Sequence, residues 1–236
     1  MMLKPFTLLS FLLAGFSCGA HPPLSDANST AKETVQKCGV ERIAVKTSAD
    51  KDATKVNMVP VPTTVTELTS ITPPTQKDLE ATPDSRFPAE LKTYTVQAYL
   101  VGFKLESDED FHIVIRDLSS ARAPMMIVEM PSENCVPDAL KKDSAALRAS
   151  WQARFGEATK RFKNVSARKT KVEITGIGFF DLKHNDLRRC LPGEKPTKKN
   201  KKGKMVCTGQ DGVAKNGIEL HRVLSWKELF ATSQKQ

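Results

Sequence analysis

Aromatic side chains make up only 6% of this 236-residue chain, with two tryptophans and two tyrosines. Stacking platforms for single-stranded nucleic acid are therefore scarce. Histidine is limited to four residues and cysteine to five, and no Cys-x-x-Cys pair occurs. That spacing disfavours a thiolate zinc site. Several enzyme signatures are also missing: the Gly-x-Ser-x-Gly elbow, the His-Glu-x-x-His helix and a glycine-rich phosphate loop. Past the N-terminus, no apolar run is long enough to span a bilayer.

Basic residues are in excess. The net charge is +9, and much of the surplus lies in one stretch, "RRCLPGEKPTKKNKKGKMVC". Such a balance favours anionic partners and says nothing about fold. The chain opens "MMLKPFTLLSFLLAGFSCGAHPP", with Lys4 before an apolar run from Phe6 to Phe16 and small residues Cys18, Gly19 and Ala20. This pattern predicts a secretory signal over residues 1–20 and export to a periplasmic or extracellular space. Lipid attachment at Cys18 is the alternative, although bulky Phe16 stands where a lipobox has a small residue.

Export sets how the remaining cysteines are read. Cys38, Cys135, Cys190 and Cys207 are an even set, as two disulfides require. Three pairings exist. The most local, Cys190–Cys207, would close the basic stretch and contribute about 3 kcal/mol through loop entropy. Cys38–Cys135 would then tie the start of the folded chain to its middle.

Residues 21–37 are polar and aperiodic, a flexible tail. Residues 38–91 are expected to form an extended arm, with Val40 to Thr47 as a short strand. Thr64 and Glu67 fit a capping box and predict one helical turn. From Lys92 the pattern sharpens. Lys92 to Glu106 alternates as a long strand, and Gly102 suits a bulge. Phe111 to Asp117 and Pro124 to Pro131 read as the second and third strands. From Ser144, the residues Leu147, Trp151, Phe155, Ala158 and Phe162 recur at steps of three or four, one stripe of a core-facing helix. Lys171 to Leu182 and Asn216 to Trp226 complete the set as fourth and fifth strands.

The order strand, strand, strand, helix, strand, strand matches an OB-fold barrel. The fold class expected is mainly β with one helix, an OB-fold-like five-stranded barrel over residues 92–230. An irregular β-sandwich with one helix is the competing fold. From roughly Thr93 to Trp226, and in the segments "FKLESDEDFHIVI" and "GIELHRVL", the chain resembles secreted bacterial OB-fold-like proteins of uncharacterised activity. The resemblance implies a barrel and an exported location, and it brings no catalytic residues.

Two surfaces are candidates for function. The first is the insertion at residues 188–207. Arg188, Arg189, Lys195, Lys198, Lys199, Lys201, Lys202 and Lys204 would contact the phosphate or sulfate groups of an anionic polymer, nucleic acid or polysaccharide. A solvated loop that aids solubility is the bland alternative. Against nucleic acid stand the acidic one–two loop (Glu106, Asp108, Glu109, Asp110) and the few free aromatics, of which Tyr94, Tyr99, Phe111 and Phe180 are possible platforms. The second surface is a set of ionisable groups on adjoining strands: His112, Glu129, Glu219 and His221, with His184, Asn185 and Asp186 after strand four. Such a set could hold a divalent metal or supply an acid–base pair, and each histidine could equally be a rim residue with a local hydrogen bond. The "ESDED" turn lacks the ligand spacing of a calcium loop.

Three functions follow. A non-enzymatic exported binding module with no resident cofactor comes first. The second is a metal-dependent hydrolase using the His/Glu set, a nuclease included, although no pattern of paired arginines, calcium carboxylates and glutamate base accompanies it. The third is a cell-envelope structural or assembly protein that uses the arm as its contact.

Overall fold

The computed structural model describes residues 38–181, 187–188, 198–199, 202–208 and 212–230. Five strands close on themselves: β2 (Lys92–Leu105), β3 (Phe111–Asp117), β4 (Met125–Met130), β10 (Ile218–Leu229) and β6 (Lys171–Phe180). Around the barrel the order is β2–β3–β4–β10–β6, and β6 pairs back onto β2. All pairings are antiparallel except β4–β10, which is parallel. The expected element order and the closed barrel are therefore present, and the sandwich is excluded.

Strand β2 is long because it serves two neighbours in succession. Thr93 to Tyr99 pair with β6, and Ala98 to Leu105 pair with β3. The predicted bulge occurs there, with a register shift between Leu100 and Gly102. A side chain at Gly102 would sit 2.5 Å from both the Lys163 carbonyl and the Phe162 ring. Glycine is thus required for β5 (Lys163–Asn164) to pair with β2 at this point. The interior is filled by Val96, Ala98, Leu100, Phe103, Ile113, Ile115, Met126, Val128, Met130, Ile174 and Leu220.

The helix connecting β4 to β6 is α4 (Asp138–Phe155), which starts six residues before the expected Ser144 and ends before Phe162. Gly156, with φ +86°, stops it. Phe162 instead reaches Gly102 from the segment after the helix. Trp151 is fully buried, edge-on to Phe103 at 5.7 Å and to Trp226 at 5.0 Å. Phe155 is buried beside it, with ring centroids 4.5 Å apart.

The arm departs most from the sequence reading. Val40 to Thr47 contains no strand. It forms α1 (Ile43–Lys46), which buries Val45 and Lys46. With Arg42 also buried, the positions facing the barrel are spaced at three and four, so helical period overrides the apparent alternation. The strand lies further on, as β1 (Asn57–Thr63), parallel to β2. It is an exposed edge strand, and Pro60 and Pro62 remove hydrogen-bond donors that a foreign strand would need. The Thr64–Glu67 capping box is present and starts α2 (Val65–Leu68). A second box, Thr75–Asp78, starts α3 (Gln76–Ala81), a helix absent from the sequence reading.

Buried ion pairs fix the shape of the arm, and one of them also docks it on β6. Arg42 donates to both oxygens of Glu90, at 2.6 and 2.8 Å, and to the Phe180 carbonyl on β6. Glu90 also accepts from the Phe180 backbone N–H at 2.8 Å. Arg86 engages Asp50 through Nε and Nη2, and both side chains are completely buried. Cys38 and Cys135 are bonded, as expected. Cys190–Cys207 lies outside the described residues.

Two outcomes are expected from equilibrium denaturation. Trp151→Ala should cost about 3–5 kcal/mol, since it empties a fully buried aromatic site. Replacing Cys38 and Cys135 with serine releases a crosslink spanning 97 residues. That should cost up to about 4.7 kcal/mol in the chain-entropy limit.

Candidate functional site

Period-two alternation places His112 and Val114 on the outer face of β3, opposite the inward Ile113 and Ile115. The same rule sends Ile127 and Glu129 outward on β4, and Glu219 and His221 outward on β10. Register then assembles rows across the strands. Lys104 faces His112, His112 faces Glu129, and Glu129 faces His221. The next row runs Gly102, Val114, Ile127, Glu219 and Phe179.

An outer barrel wall normally meets water. This one does not. His112 is 1% exposed, Glu129 4%, Glu219 1% and His221 0%. Val45, Lys46 and Thr47 of the arm are buried with them, and the His221 Nδ1 lies 2.9 Å from the Lys46 carbonyl. Gly212 closes the wall elsewhere: a side chain there would meet Val114 at 2.4 Å.

Within this covered wall the charges are joined. His112 Nδ1 lies 3.1 Å from Glu129 Oε1 and 3.1 Å from Glu106 Oε1. His221 Nε2 lies 3.0 Å from Glu129 Oε2 and 3.1 Å from Asp110 Oδ2. Glu129 therefore bridges the two imidazoles, one oxygen to each. The β2–β3 turn brings Glu106 and Asp110 to the row: the Glu106 N–H donates to the Asp110 carbonyl at 2.9 Å. Lys104 pairs with Glu106 at 2.7 Å, and Lys46 lies 3.6 Å from Asp181.

Electrostatics follow from burial and contact. Burial opposes charge on His112, yet its bonds to Glu106 and Glu129 prevail and raise it to about 9. Burial likewise opposes charge on His221, and Asp110 and Glu129 raise it to about 9. Lys46 is held charged despite burial, first by Glu129, then by Asp181, Glu219 and Asp110. Glu129 stays ionised because its bonds to both histidines outweigh its own desolvation. Glu219 goes the other way, pushed well up by burial and by the charges of Glu129 and Asp181. Asp108 is pushed up to about 6, by burial and then by Asp110 and Glu129.

The structure thus gathers three of the four expected metal-site residues into direct contact: His112, Glu129 and His221. Glu219 lies in the adjacent row and interacts with them through its field. Asp110 and Glu106, read in the sequence as a repelling loop, complete two compact donor sets, Glu106–His112–Glu129 and Asp110–Glu129–His221. The spacing of Glu106, Asp108, Asp110 and His112 at every second residue was the available signal. Lys46 gave none, because its helix read as a strand. His184, Asn185 and Asp186 lie outside the described residues.

The basic insertion leaves the barrel between β6 and β10. Its described parts are β7 (Leu187–Arg188), β8 (Lys198–Lys199) and β9 (Met205–Thr208), which form a small sheet in the order β7–β9–β8. Lys199, Lys202 and Lys204 are exposed. The side chains of Arg188 and Lys198 are not among those described, and Arg189, Lys195 and Lys201 lie outside the described residues. Of the possible stacking platforms, Tyr94, Phe111 and Phe180 are core residues, and Tyr99 is half-buried between Arg116 and Lys171. Comparison with protein-family models, curated proteins and solved structures finds no match to this chain.

Stability of the metal-free protein should depend on pH with a definite sign. Folding raises both imidazoles from their ordinary 6.5 to about 9. The stability they lend is full below about pH 6.5 and is lost as pH rises through about 9. Glu219 and Asp108, also raised, act in the same direction. The melting temperature should fall between those limits, and His221→Gln should flatten the fall. An unchanged melting temperature across that window would contradict the assignment.

Proposed function

We propose that the chain is an exported, OB-fold-like binding module that takes an anionic polymer at the barrel rim, beside the β6–β10 insertion. The closed five-strand order, with its helix between the third and fourth strands, supports the OB-fold-like reading. The Cys38–Cys135 pair supports an oxidising, exported setting. Among the described residues, no helix is long and apolar enough to cross a membrane.

One observation carries the ligand class. Lys199, Lys202 and Lys204 are exposed on the insertion, while two of the acids that would repel an anion are engaged with the barrel. Asp110 is 5% exposed against His221, and Glu106 is paired with Lys104. Contacts of lysine with phosphate or sulfate give affinity without choice of sequence. The His–carboxylate row does not favour a hydrolase, since the arm lies over it and its His112, Glu129 and His221 side chains are buried. The arm is also engaged with its own barrel through Arg42, which donates to the Phe180 carbonyl, and through Asn216, which donates to the Leu68 and Ile71 carbonyls. That packing counts against its use as an envelope contact.

Binding to heparin and to a single-stranded oligonucleotide, followed over a salt series, tests the reading. Affinity should fall steeply with salt. Replacing Lys199, Lys202 and Lys204 with serine should weaken binding of every polyanion alike. On the single strand it should also reduce the salt slope by about 0.7 for each phosphate no longer neutralised. Salt-independent binding, or none, would overturn it.

A further inference from the structure

The hydrogen-bond roles of His221 do not close with a neutral ring alone. Its Nδ1 faces the Lys46 carbonyl at 2.9 Å, and a carbonyl only accepts, so Nδ1 carries a hydrogen. In the neutral imidazole, Nε2 is then a bare lone pair. Yet Nε2 faces Asp110 Oδ2 at 3.1 Å and Glu129 Oε2 at 3.0 Å, and ionised carboxylates only accept. Three acceptors converge on one buried point. Something positive belongs between them, either a proton on Nε2 or a cation.

We propose that Asp110, Glu129 and His221 form a binding site for a first-row divalent transition metal ion of the zinc class. His221 Nε2 sits at the spacing from each carboxylate that such an ion needs. Metal–nitrogen and metal–oxygen bonds of about 2.0–2.2 Å put neighbouring donors about 3 Å apart. Imidazole with carboxylate suits zinc and its neighbours, whereas calcium prefers six to eight oxygens at longer range. The outer partner of the histidine is also present, because the Lys46 carbonyl fixes the tautomer that leaves Nε2 as the ligand atom. His112 and Glu106 act as positioning residues: His112 lies 3.1 Å from Glu129 Oε1 and aims Oε2 at the ion. The site is independent of the polyanion rim. It uses none of the insertion lysines.

The test uses the full mature chain, unfolded with its disulfides intact, refolded with Zn2+, gel-filtered and assayed for metal content. About one Zn2+ per chain should be retained. Titration of the metal-free chain should show His221→Ala weakening Zn2+ affinity by more than the roughly 10- to 100-fold typical of outer partners. Asp110→Asn, which preserves shape, guards against misfolding and should also weaken it. Lys199→Ser, outside the donor set, should bind as the parent does. Co2+ in place of Zn2+ should give visible d–d absorption that is absent in His221→Ala. Zn2+ retention unchanged in His221→Ala, or no retention by the parent chain, would overturn the site. The row would then hold its protons as a salt-bridge network.

Discussion

Two histidines, a lysine and several carboxylates sit on the outside of a small barrel and yet out of water. Removing ions from water costs several kcal/mol each, and only mutual pairing offsets that cost. Here the pairing is supplied by register. Antiparallel β3–β4 and parallel β4–β10 place His112, Glu129 and His221 side by side, so both oxygens of one carboxylate serve two rings. The arm then completes the seal with Lys46 and its carbonyl. Each piece depends on the other. Without the arm the row is merely a hydrated outer face, and without the row the buried Lys46 is deprived of its counter-charges.

The arm is held by the same principle applied twice more. Arg42–Glu90 and Arg86–Asp50 are buried, bidentate pairs whose spare hydrogen-bonding capacity is satisfied by backbone carbonyls. Such pairs add little net stability compared with a well-packed apolar contact, but breaking one side leaves an uncompensated buried charge. They specify one conformation of the arm more than they strengthen it. The apolar contribution comes from Val45, Val65, Leu68 and Leu79.

The barrel was legible because strands and helices each repeat a pattern within themselves. Phe111–Asp117 alternates, and the Leu147–Trp151–Phe155 stripe recurs at helical steps. The Thr64 capping box was legible for the same local reason. The arm was not, because its conformation answers to partners far along the chain. Arg42 is set by Glu90 and Phe180, 48 and 138 residues away. The histidine–glutamate set was visible as residues on adjoining strands. Its closure by Asp110 and Lys46 depends on a turn and on a helix whose positions only the folded barrel fixes. Acidity in "ESDED" suggested a loop that repels phosphate, whereas Asp110 is buried against His221 and Glu106 is paired with Lys104 and His112.

The parallel β4–β10 pairing has a consequence for how the molecule is born. Antiparallel neighbours can form as the chain lengthens, hairpin by hairpin. β10 is the last strand of the barrel in sequence, and it brings His221 and the final wall. The arm, first of the described segments to be made, pairs with β2 and bonds β6, yet it lacks the His221 part of its seat until that last strand arrives. Its Lys46 is 175 residues from the histidine it contacts. Closure of such distant ends is slow relative to local pairing. A chain cut short before β10 would therefore lose more than its last strand, because the Lys46 turn of the arm would face water where His221 should be.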